Sequence, residues 1–250
     1  MDMLQYNQYL RSIELKRDDI QSFSRYPFCL PIIRSLSSIV LHPKVTYVVG
    51  ENGSGKSTIL EAIAAAYGFN PEGGTINFDF SSRDTHSELY NYIKLIKGIR
   101  RPRDGFFLRA ESFYNLATNV DELEKSDPGL LSSYGGKSLH NQSHGESFFS
   151  VFMNRFCGNG LYILDEPEAA LSPSRQMAML SRIHDLVEEH SQFIIATHSP
   201  IIMAYPESSI YEIKDNIRLV GYEETEHYQV MKTFMNNKEK ILNILIKEGK

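Results

Sequence analysis

The sequence predicts an α/β fold: a mainly parallel sheet with an antiparallel β lead-in and an inserted helical subdomain. Three observations carry that prediction. Residues 45–49 read VTYVV, a β-branched run suited to a buried strand, and lead through the glycine-rich stretch 50–58 into a helical pattern. Residues 161–164 and 193–196 are apolar at every position, as strands are when helices cover both faces of a parallel sheet. Between them, residues 174–189 place Met177, Leu180, Ile183, His184 and Val187 at helical spacing, which supplies the crossover that parallel strands need.

The remaining elements follow in chain order. Residues 12–15 are expected to pair with the segment 28–30, and Pro27 and Pro31 punctuate this stretch. Residues 39–41, the turn His42-Pro43-Lys44 and Val45 read as a hairpin leading into the glycine-rich loop. Behind the loop, Ile59, Leu60, Ile63 and Tyr67 share a helical face, and Gly68 is placed to end the helix. Pro71-Glu72-Gly73-Gly74 is a turn, and residues 75–80 alternate apolar with polar as a half-buried strand does. From Thr85 to about Lys97 the pattern is helical; a basic loop follows, then a short apolar strand at 105–108 that ends in Arg109-Ala110-Glu111. Residues 112–158 hold two or more helices around a loop rich in Gly, Ser, His and Asn at 127–145. Residues 210–213 and 217–220 flank Lys214-Asp215-Asn216 as a hairpin, and the last thirty residues read as helix. The expected organisation is one domain over 1–250, with a core at about 1–111 and 159–250 and a helical subdomain at about 112–158.

Composition narrows the class. With 250 residues and 42% hydrophobic content the chain has ample material for a core. No run approaches the ~18 apolar residues of a membrane span, and the opening MDMLQYNQYL lacks both a basic region and an apolar signal core. The expectation is a soluble, cytoplasmic protein without membrane insertion. Cys29 and Cys157 form no metal spacing or disulfide framework and read as buried or partly buried thiols. A formal net charge of −5 argues against general binding to polyanions, although Lys94, Lys97, Arg100, Arg101 and Arg103 make a local basic run that nucleic acid could meet.

The chemistry is concentrated in two stretches. GENGSGKST, residues 50–58, fits G-x-x-x-x-G-K-[ST] with Gly50, Gly55, Lys56 and Ser57; Asn52, Gly53, Ser54 and Thr58 complete it. A strand turning through glycines into a helix N-terminus traps anions, because backbone N–H groups point inward and the helix dipole adds positive potential. Lys56 then reaches the outer phosphates and the Ser57 hydroxyl ligates Mg2+. LYILDEPEAAL, residues 161–171, is an apolar strand with acids at its C-terminal end: Asp165 to hold Mg2+, Glu166 to orient or deprotonate an attacking water. His140 and His144 have the spacing of a helical metal pair, but no further ligand accompanies them.

Taken in order, the phosphate loop, Gln142-Ser143-His144-Gly145-Glu146 opening a helix, LYILDEPEAAL and IIATHS resemble the ATP-binding cassette (ABC) ATPases. FFLRAESF, SLHNQSHGES, LDEPEAALSP and FIIATHSPI are similar to a group of small stand-alone bacterial ATPases of the AAA family that carry no fused transporter and no coiled-coil arm. The resemblance implies a P-loop fold of ABC type that binds ATP with Mg2+ and hydrolyses it to ADP and phosphate. It implies a catalytic set of Lys56, Glu166 and His198, with His198 as the switch histidine at the γ-phosphate. Ser143, Gly145 and Glu146 match the signature that binds ATP held by the opposite protomer, with His144 where a first glycine is usual. Glu111 stands about where a Gln senses Mg2+ and water, which makes it a third metal-site residue beside Ser57 and Asp165. Ala170-Leu171-Ser172 matches a loop that crosses the dimer interface, with Ser172 in place of Asp, and Tyr26 or Phe28 is the candidate to stack on adenine. The implied assembly is a homodimer formed on ATP binding that drives or gates an unidentified effector protein, in DNA-related or defence processes; the alternative is the nucleotide-binding subunit of a transporter.

Overall fold

The computed structural model describes residues 8–76 and 87–247. The strand β1 (Leu10–Leu15) is followed by a short helix α1 (Pro31–Ser35) and by β2 (Ser38–Val40). β3 (Val45–Gly50) leads into α2 (Lys56–Tyr67), and β4 (Ile93–Lys97) and β5 (Asp104–Arg109) come next. Two helices, α3 (Phe113–Ser126) and α4 (His144–Arg155), precede β6 (Gly160–Asp165), and α5 (Pro173–Glu188) joins β6 to β7 (Gln192–Ala196). Last come β8 (Ser208–Ile213), β9 (Ile217–Val220), α6 (Glu226–Asn236) and α7 (Lys238–Lys247). Among the described residues no helix is long and apolar enough to cross a membrane.

Six strands form one sheet in the order β5-β6-β7-β3-β8-β9, parallel throughout except for the β8–β9 hairpin. β2, β1 and β4 make a separate antiparallel sheet. Because strand side chains alternate, the central sheet divides the core in two. Val45, Tyr47, Val49, Tyr162, Leu164, Phe193 and Ile195 face α3, α4 and α5. Val48, Leu161, Ile163, Ile194 and Ala196 face α2 and the antiparallel sheet. With both faces covered, every residue of β3, β6 and β7 is buried, which is why these strands read as predominantly apolar runs without alternation. α2 buries Ile59, Leu60 and Ile63, leaves Tyr67 half-buried, and ends at Gly68.

Several local expectations are corrected. β1 pairs with β2 and β4, not with residues 28–30; Phe28 is fully buried, with its ring edge-on to Tyr92 at 4.9 Å. Residues 39–45 are no hairpin, since β2 and β3 lie in different sheets and the turn between them crosses from one to the other. The helix expected up to Lys97 is a 3-10 turn, Glu88–Tyr92, followed by β4, where Ile93, Leu95 and Ile96 pair along β1; strand pairing outweighs a pattern that suits either period. The buried face of α5 is Met179, Ile183, Leu186 and Val187, and Met177 is exposed. Cys157 is exposed, not buried. The strand expected at 75–80 begins with Thr75 and Ile76 outside any strand, and the rest of it, like the start of the helix expected from Thr85, lies outside the described residues.

Candidate functional site

β6, β7 and β3 are consecutive in the sheet, so the segments after Asp165, Ala196 and Gly50 emerge side by side at its carboxyl edge, where open α/β sheets bind ligands. The loop after β3 is shaped by Gly55, which caps α2 in the left-handed region (φ 98°), where a Cβ would come within 2.6 Å of Ile32 Cγ2. That turn sets Lys56, Ser57 and Thr58 in the first turn of α2, with its unpaired N–H groups and positive dipole end. Lys56 Nζ donates to the carbonyls of Gly50 at 2.9 Å and Glu51 at 3.0 Å, folding its charge over the loop. Burial lowers the Lys56 pKa, against the opposing pull of Glu166, Asp165 and Glu168. Ser54 Oγ is buried inside the same loop with no hydrogen-bond partner among the described residues, which leaves its hydroxyl available to a ligand oxygen.

Asp165, the last residue of β6, is 3% exposed, and its Oδ1 accepts from Ser57 Oγ at 3.0 Å. Burial pushes its carboxyl up to about 6, with Arg109 and Ser57 pulling the other way. Glu166 follows in the left-handed region (φ 50°, ψ 52°), a conformation that costs a residue with a Cβ on the order of 1–2 kcal/mol. Its Oε1 lies 3.4 Å from His198 Nε2. Glu168 bridges the two strand ends by accepting from the Thr197 hydroxyl at 2.8 Å and from the His198 N–H. His198 Nδ1 in turn meets His227 Nε2 at 2.9 Å. Glu51, Asn52, Glu166, Glu168, His198 and His227 line one open cleft.

The structure thus brings Lys56, Ser57, Asp165, Glu166 and His198 together from segments far apart in the chain. The signature residues do not join that cleft. Ser143 is the exposed cap of α4, and Glu146 Oε2 accepts from its N–H at 3.1 Å and its hydroxyl at 2.6 Å. His144 is the first residue of α4 and is not among the residues with positive φ, so this signature needs no glycine there. Gly145 is required for another reason: a Cβ there would lie 2.5 Å from the Ala170 carbonyl oxygen. Ser172 caps α5 by accepting from the Arg175 N–H at 3.4 Å.

Glu111, expected at the metal site, is placed elsewhere. Its side chain is 80% exposed and accepts from Arg109 Nη2 at 2.9 Å, in a separate polar cleft shared with Tyr26, Glu61 and Glu72. Phe28 is buried in the core and cannot reach a nucleotide base; Tyr26 opens onto the Glu111 cleft. His140 and His144 go separate ways, His140 against Thr118 and Tyr114 and His144 edge-on to Phe113, and the described residues hold no metal-binding cluster of His, Cys, Asp or Glu. Sequence reasoning missed Glu168 and His227. Glu168 had a signal, as the third acid of DEPE directly after the strand; His227 had none, because it reaches the site only through the packing of α6.

Residues 14–160, more than half of the chain, match the family described as "AAA domain", and residues 139–204 match "AAA domain, putative AbiEii toxin, Type IV TA system". The chain is 26% identical over 210 residues to the "Putative ABC transporter ATP-binding protein" of Methanothermobacter thermautotrophicus, spanning 76% of this chain and 72% of the relative. It is 20% identical over 190 residues to the manganese transport system ATP-binding protein MntB of Bacillus subtilis, spanning 67% of this chain and 71% of the relative. Among solved structures, cbiO1 from Clostridium perfringens, part of the ABC transporter complex cbiONQ, aligns over 91% of this chain and 95% of its own at 19% identity and a TM-score of 0.48. With its phosphate loop, its acidic strand end and the family match over 14–160, the chain belongs to the AAA-domain family and is a P-loop ATP hydrolase of the ABC type.

Proposed function

We propose that two copies of this chain close around two ATP molecules and that hydrolysis reopens them, a cycle that drives or gates a partner protein. The observation that carries the reading is the convergence of Lys56, Ser57, Asp165, Glu166 and His198 at one edge of the sheet. Lys56 swings from the loop carbonyls to the β- and γ-phosphates, and the N–H groups of residues 53–58 and the Ser54 hydroxyl accommodate phosphate oxygens. Ser57 Oγ, half-buried, and Asp165 Oδ1, buried, lie 3.0 Å apart and form the hard-oxygen pair that suits Mg2+, with Glu111 left out of the set. A bound Mg2+ ion would offset phosphate charge there. Glu166 orients the attacking water and takes its proton, and the left-handed turn holds its carboxylate beside His198. Burial first, then the charges of Lys56 and His227, lower the His198 pKa, which favours the neutral ring, and that ring can donate one N–H to the γ-phosphate.

Ser143 and the free N–H groups at the start of α4 are exposed and stand apart from the chain's own cleft, which supports their use on ATP held by a second copy. Nucleotide titration beside phosphate release tests the assignment. Lys56→Ala should weaken ATP binding, whereas Glu166→Gln should keep binding and lose turnover by orders of magnitude. Light scattering should then find an ATP-dependent dimer of the Glu166→Gln protein. Near-normal turnover in Glu166→Gln, or hydrolysis by a strict monomer at every concentration, overturns the reading. The names of the relatives favour a second reading, a nucleotide-binding subunit that docks on a membrane protein; the polar cleft of Tyr26, Glu61, Glu72 and Glu111 is its candidate contact, since Arg109 links that cleft to Asp165. Co-purification with a membrane permease decides between the two.

A further inference from the structure

His227 lies in the first turn of α6, a helix that buries none of its own residues against the core. Its start is nonetheless tied down. Thr225 is fully buried and its hydroxyl donates to the Tyr222 carbonyl at 2.8 Å; the Glu226 N–H donates to Glu212 Oε1 at 2.8 Å; and Lys214 Nζ spans the Glu212 and Glu226 carboxylates at 3.5 and 3.1 Å. These anchors hold the His227 ring 5.0 Å from that of His198, in an edge-to-face arrangement with Nε2 2.9 Å from His198 Nδ1.

Two imidazole nitrogens at that distance attract only if one carries hydrogen and the other a lone pair. A neutral His198 has one proton to place. On Nδ1, it would leave a lone pair at Nε2 facing the Glu166 carboxylate 3.4 Å away and the anionic phosphates beyond. On Nε2, it makes that atom a donor into the cleft, and Nδ1 then needs a donor of its own. Among the described residues, His198 Nε2 has no partner apart from Glu166 and the far nitrogen of the pair, His227 Nδ1, has none; the two rings are joined by the hydrogen bond between them.

We infer that His227 is a positioning residue: its Nε2–H donates to His198 Nδ1 and thereby fixes His198 as the Nε2–H tautomer that can donate to the γ-phosphate. This rests on the reading of His198 as the γ-phosphate contact, and the test separates the two. In protein labelled with 15N-histidine, the ring shifts of His198, assigned by comparison with His198→Asn, report its tautomer directly. Wild-type protein should show hydrogen on Nε2. His227→Phe, which keeps the ring shape and loses the donor, should move His198 to a tautomer mixture and lower kcat on the order of tenfold with KM changed less than about twofold. His227→Gln, whose amide nitrogen can donate from a similar place, should recover both the tautomer and most of the turnover. A wild-type His198 protonated on Nδ1, or a His227→Phe protein with unchanged tautomer and kcat, overturns the inference. Full turnover in His198→Ala would instead remove the role of His198, while the shifts of the His227→Phe protein still report whether His227 holds the ring.

Discussion

Arg109 Nε lies 3.3 Å from Asp165 Oδ2, across the carboxylate from the oxygen that accepts from Ser57. The parallel register that sets Arg109 opposite Asp165 on neighbouring strands makes this approach unavoidable. Even so, burial prevails and Asp165 sits at about 6 against an ordinary 3.8. A carboxyl raised in this way holds its proton more tightly folded than unfolded. Its contribution to stability is therefore present below pH 3.8 and lost as pH rises to about 6, a loss of about 3 kcal/mol that is complete above it. Asp165→Asn removes that penalty. Nucleotide-free Asp165→Asn protein should unfold at a higher temperature than wild type at pH 8, with the difference shrinking as pH falls below 6. Thermal unfolding across that range checks it; equal midpoints at pH 8 would mean that Arg109 and Ser57 already offset burial.

If each ATP is shared between two chains, a chain defective in its phosphate loop should complement one defective in its signature. Ser143→Asp suits the second role, since Asp caps a helix as well as Ser does and sets a carboxylate against the neighbour's γ-phosphate. Gly145→Asp would confuse the result by striking the Ala170 carbonyl of its own chain. Lys56→Ala and Ser143→Asp should each be inactive alone. Mixed, they should recover up to about a quarter of wild-type turnover, because random pairing makes about half the dimers mixed, each with one intact site. A mixture that stays inactive although mixed dimers form would show that both sites must fire together or that neither is shared.

Gln192 joins the two sheets through one buried amide. Its Oε1 accepts from the N–H of Tyr9 at 3.1 Å and of Leu10 at 3.0 Å, and its Nε2 donates to the carbonyls of Leu10 at 2.8 Å and His42 at 3.0 Å. Gln192→Leu fills similar space and removes the partner of the Tyr9 and Leu10 N–H groups and of the His42 carbonyl, each of which costs about 1–3 kcal/mol when left unpaired, while the Leu10 carbonyl keeps its bond from Gln8 Nε2 at 3.0 Å. A loss of roughly 3 kcal/mol or more in urea unfolding is expected, with ATP affinity reduced less than stability, since Gln192 touches neither the phosphate loop nor Asp165.

The basic run has less free charge than its sequence suggests. Lys94 pairs with Glu14 at 3.0 Å, and Lys97 sits over the Tyr67 ring at 4.4 Å, which leaves Arg100, Arg101 and Arg103 exposed. With three phosphate contacts the salt dependence of any nucleic-acid binding should be no steeper than about −3 in log K against log salt. Anisotropy at several salt concentrations, with and without ATP, measures the slope, and charge reversal at Arg100 and Arg101 should flatten it toward about −1.

What could be read from the chain was what the chain states locally. Residues 50–58 carry their glycines, lysine and serine in one short stretch, and the runs 161–164 of β6 and 193–196 of β7 announce burial on both faces by holding apolar residues alone. The pairing of β1 was misassigned because Leu10–Leu15 matches several apolar partners, and only β2 and β4 together satisfy both of its edges. Glu111 follows a strand at the expected place, yet Arg109 draws it outward, a preference that no spacing records. His227 is further still from a pattern, since α6 shows no buried stripe and its ring reaches His198 through anchors on Glu212 and Thr225.

The missing Cβ of Gly145 has a consequence for how a closed pair would be tuned. The first turn of α4 rests directly on the carbonyl of Ala170, four residues beyond Glu166, so in the proposed dimer the surface offered to a neighbour's nucleotide would be seated on the turn that follows Glu166. The height of one sets the height of the other. A substitution that lifts the turn Pro167–Ala170 by a few tenths of an ångström would be felt twice, at the site where Glu166 acts and at the opposite site where Ser143 is presented. In such a pair, drift in one half would not be corrected without disturbing the other, and the two sites would keep time together.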